Sequence, residues 1–515
     1  MIKFLQKYWP LLLIIALSFV LRIYKIEELF YFTYDESIPT FVGRRLILWH
    51  HVPLIGGVTP FNFHLAPYFY WFYALLLFIG KLNPVIWGFA GALVAAITTL
   101  MMFIVGKEFG SKKIGLTASI LWTFSYLANV YDRHLWALYW GPLVSLTVLF
   151  SLQKIIKGQK NFIYPLAIIT ALSIHADLSN LAFLVLSVCI WFIYKLKIDQ
   201  KTLIAIGIII ISFLPLIVFD LRHNFANTKP VIKFWKTRRN NPGFESQKFI
   251  NNSLSFPATF TRLIYTFGDN EIAKQYSYCR NYVSEKYGSI APILILFSSL
   301  TMLGFLIWSF KKENRNSWRL AGLSIVIYFI GIQIYGTVFK ADIFEHYLTG
   351  LFAVFLLISS KLISLMPGKI WLLALALFVS VNVFKLSKIK SGLGLSYKKQ
   401  AIEFTMSAVG DNPFSLESLS TCWRYSGYRY LFALYAKEPV KSYVDPNFGY
   451  LYGTTPIAER HPQTVVAFVV HDFVPETDAF YQKYALYKSH EIKNGLFGNI
   501  EVIIMDNTPG WFDEQ

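Results

Sequence analysis

Residues 85–134 read VIWGFAGALVAAITTLMMFIVGKEFGSKKIGLTASILWTFSYLANVYDRH, and this stretch decides the fold. A basic connector with Lys107, Lys112 and Lys113 joins two apolar runs. The second run ends at Asp132-Arg133-His134, a connector that mixes a carboxylate, a guanidinium and an imidazole. Because connectors rich in Lys and Arg stay in the cytoplasm, the first connector is predicted to lie inside the cell and the second outside.

The same alternation continues along the chain. Further basic connectors hold Lys3/Lys7, Lys154/Lys157/Lys160, Lys195/Lys197/Lys201, Lys311/Lys312/Arg315/Arg319 and Lys361/Lys369. The mixed connectors between them hold Asp35-Glu36, His175 with Asp177, Asp220-Arg222-His223, and Asp342 with Glu345-His346. Acids, imidazoles and guanidiniums gathered on one face of a membrane protein indicate a reaction site on that face.

The composition excludes a soluble protein. Of the 515 residues, 55% are hydrophobic and only 15% are charged, and the mean hydropathy is +0.46. The formal net charge of +18 comes mostly from residues beside apolar runs, where they contact anionic lipid headgroups. No basic domain or stacking motif accompanies this charge, so no nucleic-acid partner is expected. Three cysteines make neither a disulfide framework nor a metal cluster; Cys189 lies in an apolar run, which leaves Cys279 and Cys422 as the only plausible outer pair.

A membrane span needs about 20 apolar residues. Candidate spans lie near 9–25, 85–105, 114–131, 138–153, 161–175, 180–195, 202–219, 289–310, 319–338, 347–361 and 369–386, about eleven in all. The first could be a signal peptide, but no A-x-A site follows it, so we expect an uncleaved span. Leu65–Gly80 is predicted to lie in the outer interface, because a crossing there would reverse the sidedness of the Lys107 connector.

Two domains are predicted: a polytopic α-helical membrane domain at 1–390 and a small outer α/β domain at 391–515. In the second, Thr464–Val470 reads as a strand. A hairpin near 484–505 turns at Asn494-Gly495 or at Gly498-Asn499, and 426–437 has helical periodicity. The cluster Lys385, Lys388, Lys390, Lys398 and Lys399 favours the cytoplasm instead. The alternation of basic and mixed connectors between the earlier spans outweighs this lysine cluster, so the domain is predicted to lie outside.

The first predicted outer loop, at about residues 25–84 and called the first loop below, contains the acidic pair Asp35-Glu36. Such a pair can accept a proton or bind a cation, and the alternative is a solvated loop. Gly56-Gly57, Thr59-Pro60 and His64 follow in the same loop, before the aromatic interfacial segment. These residues predict an ordered loop.

Arg133 is placed to contact the phosphate of a lipid whose tail lies in the membrane. The alternatives are an Asp132–Arg133 ion pair or a snorkelling side chain. His175 and Asp177 form a polar pair at membrane depth, where polar groups usually have a purpose. Asp177 alternatively caps the next helix.

Two further mixed connectors contribute candidates. Asp220 and Arg222 open a long outer loop, and Lys229, Lys233 and Lys236 follow them. This basic stretch could hold a phosphate headgroup or simply contact lipid. Glu345 and His346 could join a metal site, although a single Glu-His dipeptide is a weak signal.

Taken in order, these motifs resemble the GT-C class of membrane glycosyltransferases, and glycosyltransferase family 39 in particular, which includes protein O-mannosyltransferases and aminoarabinose transferases. The resemblance covers about residues 1–390. It implies that Asp35, with Glu36 beside it, is the catalytic base and that Arg133 contacts the donor phosphate. Relatives commonly have Arg before Tyr-Leu in the late motif, where this sequence has His346.

The resemblance implies a hexosyl- or pentosyltransferase of the cell envelope in the plasma (inner) membrane, with its active site on the extracytoplasmic face. The donor would be a sugar on a polyprenyl phosphate, since nucleotide sugars stay in the cytoplasm. The acceptor would be a hydroxyl of a lipid, glycan or protein. Asp35 would act as general base in one inverting displacement, and Arg133, with Arg222 or His346, would stabilise the leaving phosphate. No cofactor is required, and a divalent metal is optional.

Two other functions compete with this one. A transporter or lipid flippase would line a pathway with intramembrane charges. Such proteins usually have similar halves and broken helices near mid-membrane, and the sequence indicates neither. A scaffold without activity would not need to keep Asp35.

Overall fold

The structure, a computed structural model, describes residues 2–32, 34–133, 136–239, 244–266, 292–311, 316–341, 343–419, 427–453, 456–470 and 478–514. His134, Asp342 and the predicted outer pair Cys279 and Cys422 lie outside the described residues. Asp35 belongs to a described helix, but its side chain lies outside the described part.

Helices make up the chain as far as Lys388. They are α1 (Ile2–Ile23), α2 (Ile26–Leu29), α3 (Tyr34–Trp49), α4 (Tyr68–Ile79), α5 (Val85–Phe109), α6 (Lys112–Phe124), α7 (Tyr126–Asp132), α8 (Gly141–Ile156), α9 (Ile163–Ala176), α10 (Leu181–Ile193), α11 (Gln200–Ile211), α12 (Leu214–Arg222), α13 (Thr228–Arg239), α14 (Ser246–Ile264), α15 (Pro292–Ser309), α16 (Asn316–Gln333), α17 (Thr349–Ser364) and α18 (Gly368–Lys388). Short 3₁₀ turns include Ala137–Trp140, Leu178–Asn180 and Glu345–Leu348, and a π-helical turn spans Ile334–Val338.

Each predicted span coincides with one or two of these helices. Within the described residues, six helical segments are long and apolar enough to cross a membrane: 85–109, 200–222, 292–309, 316–338, 345–364 and 368–388. The chain is therefore a multi-pass helical membrane protein. Helix α4 has 12 residues. Its length of about 18 Å is shorter than a hydrocarbon core of about 30 Å, but so are the lengths of α9 and α10, and its place in the outer interface stays a prediction.

Two predicted spans are broken. The span at 114–131 divides into α6 and α7 at Ser125, and the span at 202–219 divides into α11 and α12 at Ser212-Phe213. The expectation of unbroken helices was wrong at these two places. Broken helices therefore do not distinguish this chain from a transporter, whereas the lack of an internal repeat in its sequence does.

Polar side chains from distant helices satisfy the backbone groups at the first break. Arg22 of α1 donates to the carbonyl oxygens of Trp122 and Thr123 at 3.0 and 2.7 Å, and Asn382 of α18 accepts from the Tyr126 amide at 2.9 Å. A break inside a bilayer persists only where protein groups replace the missing hydrogen bonds. The local sequence does not contain these partners, which is why its apolar pattern predicts one continuous span.

The C-terminal region, residues 391–515, combines helices with one sheet. Its helices are α19 (Leu395–Val409), α20 (Tyr428–Tyr435), α21 (Asp445–Phe448) and α22 (Asp478–Ser489), and its strands are β1 (Phe414–Leu419), β2 (Lys441–Ser442), β3 (Thr464–Val470), β4 (Glu491–Phe497) and β5 (Ile500–Asp506). The strand order is β2-β1-β3-β5-β4. Strand β1 runs parallel to β2 and β3, and β5 runs antiparallel to β3 and β4.

The predicted elements of this region are confirmed except for the start of the hairpin, because residues 484–489 belong to α22 and the first hairpin strand begins at Glu491. Strand β3 has the predicted bounds, and α20 lies within the predicted helical stretch. The hairpin turns at Gly498-Asn499, the second of the two predicted positions. Gly498 has φ +60°, a left-handed conformation that glycine adopts without a Cβ clash.

The C-terminal region packs directly on the first loop. The Leu395 amide donates to the Phe30 carbonyl at 2.9 Å, Lys399 pairs with Glu27 at 3.1 Å, and Arg44 of α3 pairs with Glu438 at 3.0 Å. Both segments must therefore lie on the same side of the membrane.

Candidate active site

The residues that lead into the acidic pair are buried aromatics. Phe30, Tyr31 and Phe32 are at most 6% exposed, and the Phe32 ring lies 6.1 Å from Trp87. Phe32 has φ +50°, a left-handed conformation that is unusual for a bulky residue. Helix α3 begins two residues later, so its first turn carries Asp35 and Glu36, at the end whose dipole favours carboxylates.

Glu36 and a lysine of the C-terminal region lie close together. Glu36 is 2% exposed, and Lys398 of α19 is fully buried. The Lys398 ammonium donates to the Phe32 carbonyl at 2.9 Å and lies 5.0 Å from the centre of the Tyr428 ring. Burial lowers the pKa of Lys398 to about 7, and the negative charge of Glu36 opposes this shift.

Sequence reasoning missed Lys398, although the cluster that contains it was noted. Its position in a Lys-rich stretch after the last span suggested only a cytoplasmic signal. Nothing local distinguishes it from Lys399, which is its neighbour but makes an exposed ion pair. Only the tertiary contact with the first loop reveals the difference.

Asp132 is neutralised by an arginine of another helix. Its Oδ2 atom accepts from Nε and Nη2 of Arg22 at 3.0 and 2.9 Å, and both side chains are buried. The alternative of an Asp132–Arg133 ion pair was therefore wrong, since Asp132 pairs with Arg22. Its role as a candidate site residue is reduced to supporting the turn that ends α7.

Arg133 is buried but only partly satisfied. It is 1% exposed and donates from Nη2 to the Leu21 carbonyl at 3.1 Å, while Nε and Nη1 have no hydrogen-bond partner among the described residues. Burial raises the pKa of the nearby Tyr31 phenol, and the positive charge of Arg133 opposes that rise. The guanidinium therefore lies beside the segment that leads to Asp35, with two donors available for an anion.

Glu345 is held by an ion pair. It lies 3.2 Å from Arg262 of α14 and accepts from the Tyr131 hydroxyl at 3.0 Å. Within the described part of the chain, no group of three His, Cys, Asp or Glu side chains could hold a metal ion. The arrangement around Glu345 thus differs from the metal site considered for Glu345 and His346.

His346 is surrounded by aromatic rings. Its ring centre is 4.8 Å from that of Trp136, 5.2 Å from that of Phe344 and 4.6 Å from that of Tyr347. Trp136 follows Arg133 by three positions. Tyr131 and Trp136, which flank Asp132 and Arg133 in sequence, contact Glu345 and His346, and we call Asp132, Arg133, Glu345 and His346 the arginine cluster.

A second group fastens the first loop to the loop after α12. The Asn227 side chain donates to the His64 carbonyl at 3.0 Å, and Asp220 accepts from the Asn227 amide at 2.7 Å and the Thr228 hydroxyl at 2.6 Å. The ring of His64 contacts the Gly56 carbonyl at 3.0 Å. His64 and Asp220 therefore help to order the loop.

His175 supports the same segment from α9. Its Nδ1 accepts from the Ala66 amide at 3.4 Å, and its Nε2 contacts the Ser212 hydroxyl at 3.0 Å. Since Nδ1 accepts, the proton of a neutral ring lies on Nε2 and is donated to Ser212. His175 thus joins the first loop to the break between α11 and α12.

The last two candidates lie apart from the arginine cluster. Asp177 accepts from the Ser179 amide at 2.7 Å as the cap of the turn Leu178–Asn180, which is the alternative considered for it. Arg222 is exposed in the last turn of α12, two residues from Asp220, whose partners lead to His64.

No protein-family model matches this chain, and no curated protein matches its sequence. Among solved structures, it is similar to ArnT from Cupriavidus metallidurans bound to undecaprenyl phosphate, with 11% identity, a TM-score of 0.48 and coverage of 96% of this chain and 98% of that one. It is also similar to the Archaeoglobus fulgidus oligosaccharyltransferase in complex with Zn and sulfate, with 10% identity, a TM-score of 0.47 and coverage of 89% and 67%. At this level of similarity, a function must be argued from the chain's own side chains.

Proposed function

We propose that this protein is an integral membrane glycosyltransferase that moves a sugar from a polyprenyl-phosphate donor to an acceptor hydroxyl. The observation that carries the proposal is the Arg133 guanidinium, which is buried and whose Nε and Nη1 have no partner within the part of the chain that the structure describes. An unpaired buried cation is costly, and a phosphate matches a guanidinium in geometry and charge. Its position at the end of α7 suits a phosphate attached to a lipid tail.

Asp35 is the general base in this proposal. It removes the proton of the acceptor hydroxyl as the oxygen attacks the anomeric carbon, and the bond from that carbon to the phosphate oxygen breaks. The electron pair leaves with the polyprenyl phosphate, whose growing negative charge Arg133 stabilises. A single displacement of this kind inverts the configuration of the anomeric carbon.

The other candidates have supporting roles. His346 lies in the same cluster as Arg133 and is the second candidate for a contact with the donor phosphate. Arg222 is exposed, so it would contact only the headgroup of the donor lipid. His64, His175 and Asp220 order the loop that carries the base.

The reaction is placed on the extracytoplasmic face of the plasma membrane. The basic connectors assign one side of the membrane to the cytoplasm, and the first loop falls on the other side. Because the C-terminal region contacts this loop through Lys399–Glu27 and Arg44–Glu438, it is assigned to the same side. A polyprenyl phosphate supplies the sugar there, where nucleotide sugars are absent.

The test is lipid analysis of a deletion strain complemented with variants. Deletion should cause a glycosyl polyprenyl phosphate to accumulate, and the wild-type gene should clear it. Asp35→Asn keeps the size of the side chain but removes the proton acceptor, so transfer should fall about 10²-fold or more. Glu27→Gln, at an exposed carboxylate of the same loop region, is the matched control and should clear the lipid normally.

Glu36→Gln separates the two neighbouring acids. If Asp35→Asn is stably inserted and active while Glu36→Gln is inactive, the role of base passes to Glu36. If no glycosyl lipid accumulates in the deletion strain, or neither acid matters, the proposed activity is wrong.

A further inference from the structure

Lys398 is a fully buried cation that the mechanism above does not use. It belongs to α19 in the C-terminal region, yet its side chain reaches the segment before Asp35. Its environment contains the Phe32 carbonyl at 2.9 Å, the Tyr428 ring at 5.0 Å and the charge of Glu36. Each of these groups favours a positive charge at this point.

We propose that Lys398 is a positioning residue for the transfer reaction: its ammonium group holds the carbonyl of Phe32 and thereby orients the Asp35-Glu36 pair at the start of α3. This inference rests on the proposed function. It gives the C-terminal region a part in catalysis, because that region supplies a charge to the loop that carries the base.

The backbone at Phe32 needs such a support. A φ of +50° is unfavourable for an aromatic residue, and such conformations persist only where surrounding contacts impose them. The Phe32 ring is held between Trp87 and Tyr430, at 6.1 and 5.8 Å between ring centres. Lys398 holds the backbone carbonyl of the same residue, Phe32, which lies two positions before the start of α3.

The C-terminal region is fixed to this turn by its backbone as well. The Leu395 amide donates to the Phe30 carbonyl at 2.9 Å. A Cβ atom on Gly427 would lie 2.6 Å from the Phe32 ring, so Gly427 permits the close approach. These contacts place Lys398 accurately, since it lies in the first turn of α19 that Leu395 begins.

Stability alone does not account for a lysine at this position. Burial disfavours the charged form and lowers the pKa of Lys398 to about 7, although Glu36 opposes the shift. Replacing a buried charged group with an apolar one of similar size is often neutral or stabilising. Burying the Lys398 ammonium costs stability, yet this group holds the strained turn at Phe32 beside the proposed base. A role in catalysis explains this combination better than a role in stability.

The test compares Lys398→Met with Lys399→Met in purified protein added to membrane vesicles of the deletion strain, which contain the accumulated donor. The rate of polyprenyl-phosphate release at saturating vesicle lipid should fall about 10- to 100-fold in Lys398→Met, since small misplacements of a catalytic group have effects of this size. The vesicle concentration at half-maximal rate should stay within about 2-fold, and the melting temperature should not fall. Lys399→Met removes the partly exposed pair with Glu27 and a contact with the Tyr435 ring at 5.1 Å, neither of which involves the Phe32 carbonyl, and should behave as the wild type.

A folded Lys398→Met with the wild-type rate would overturn the inference. So would a loss of rate that is matched by an equal loss of folded protein, because that result shows a structural role only. Inactivity of the wild-type protein in the same vesicles would instead contradict the proposed function itself.

The wild-type protein provides a second measurement that needs no variant. Glu36 of α3 and Tyr428 of α20 face the Lys398 ammonium, which becomes neutral as the pH rises past about 7. The rate should therefore fall between about pH 7 and 9. Unfolded lysine keeps its proton up to about pH 10.4, so the unfolded state binds more protons in this range and Lys398 makes the free energy of unfolding rise with pH. A rate that stays level over this range would overturn the inference.

Discussion

Neighbouring arginine and aspartate side chains at the end of α7 have different tasks. Asp132 is paired with Arg22 of α1, so its charge is balanced within the protein. Arg133 donates a hydrogen bond to the Leu21 carbonyl, and the described residues offer no partner to its Nε and Nη1. The Arg22–Asp132 pair therefore leaves the guanidinium of Arg133 available for an external anion.

Arg133→Lys tests this division. Lysine keeps the charge but cannot make two parallel hydrogen bonds to a phosphate. The variant should lose about 10-fold or more in kcat/KM for the donor lipid, the scale of one charge-assisted hydrogen bond. The rate of donor consumption in vesicles measures it.

Arg319→Lys, in a predicted cytoplasmic connector, provides the matched control and should retain the wild-type kcat/KM. If Arg133→Lys uses the donor as well as the wild type, Arg133 is a snorkelling side chain and the phosphate assignment fails.

At the scale of elements, the break between α6 and α7 decides where the arginine cluster lies. Ser125 caps α7 by accepting from the Ala128 amide at 3.4 Å, and its hydroxyl donates to the Leu263 carbonyl of α14 at 2.8 Å. Arg22 binds both the carbonyls that end α6 and the carboxylate that ends α7. One side chain of α1 therefore fixes both pieces of the broken span.

Arg22→Met should destabilise the protein strongly. It leaves the Asp132 carboxylate buried without its cation, and breaking such a pair typically costs about 3–5 kcal/mol. Thermal unfolding in detergent should show a melting temperature lower by several degrees. The double variant Arg22→Met, Asp132→Leu should recover much of that loss, because no buried charge is left alone. An Arg22→Met protein as stable as the wild type would show that the pair contributes nothing.

Sequence patterns predicted the positions of these elements better than they predicted the contacts between them. Apolar length located the spans, and a short apolar run located β3, since both depend on local composition. The break at Ser125 and the roles of Arg22 and Lys398 were not predictable, because each depends on partners far away in sequence. Glu345 shows the same limit: its dipeptide with His346 suggested a metal ligand, and the fold pairs it with Arg262 of α14.

At the scale of the whole molecule, the first loop is held by two different parts of the chain. The loop after α12 binds it near His64, and the C-terminal region binds it near Phe30. The predicted base lies on the segment that the second of these contacts holds. The C-terminal region also explains why a Lys-rich stretch after the last span need not be cytoplasmic, since Lys398 and Lys399 make their contacts with the first loop.

Cysteine labelling tests the sidedness of the whole molecule. In a variant without the three native cysteines, single cysteines are introduced at the exposed positions His51 in the first loop, Asn412 in the C-terminal region and Gln159 in a basic connector. His51 and Asn412 should react with a membrane-impermeant maleimide in intact cells, and Gln159 should react only after permeabilisation, because the basic connectors are assigned to the cytoplasm. Labelling at Gln159 alone in intact cells would invert the topology and place the proposed reaction in the cytoplasm. Labelling at only one of His51 and Asn412 would contradict the contacts that join the first loop to the C-terminal region.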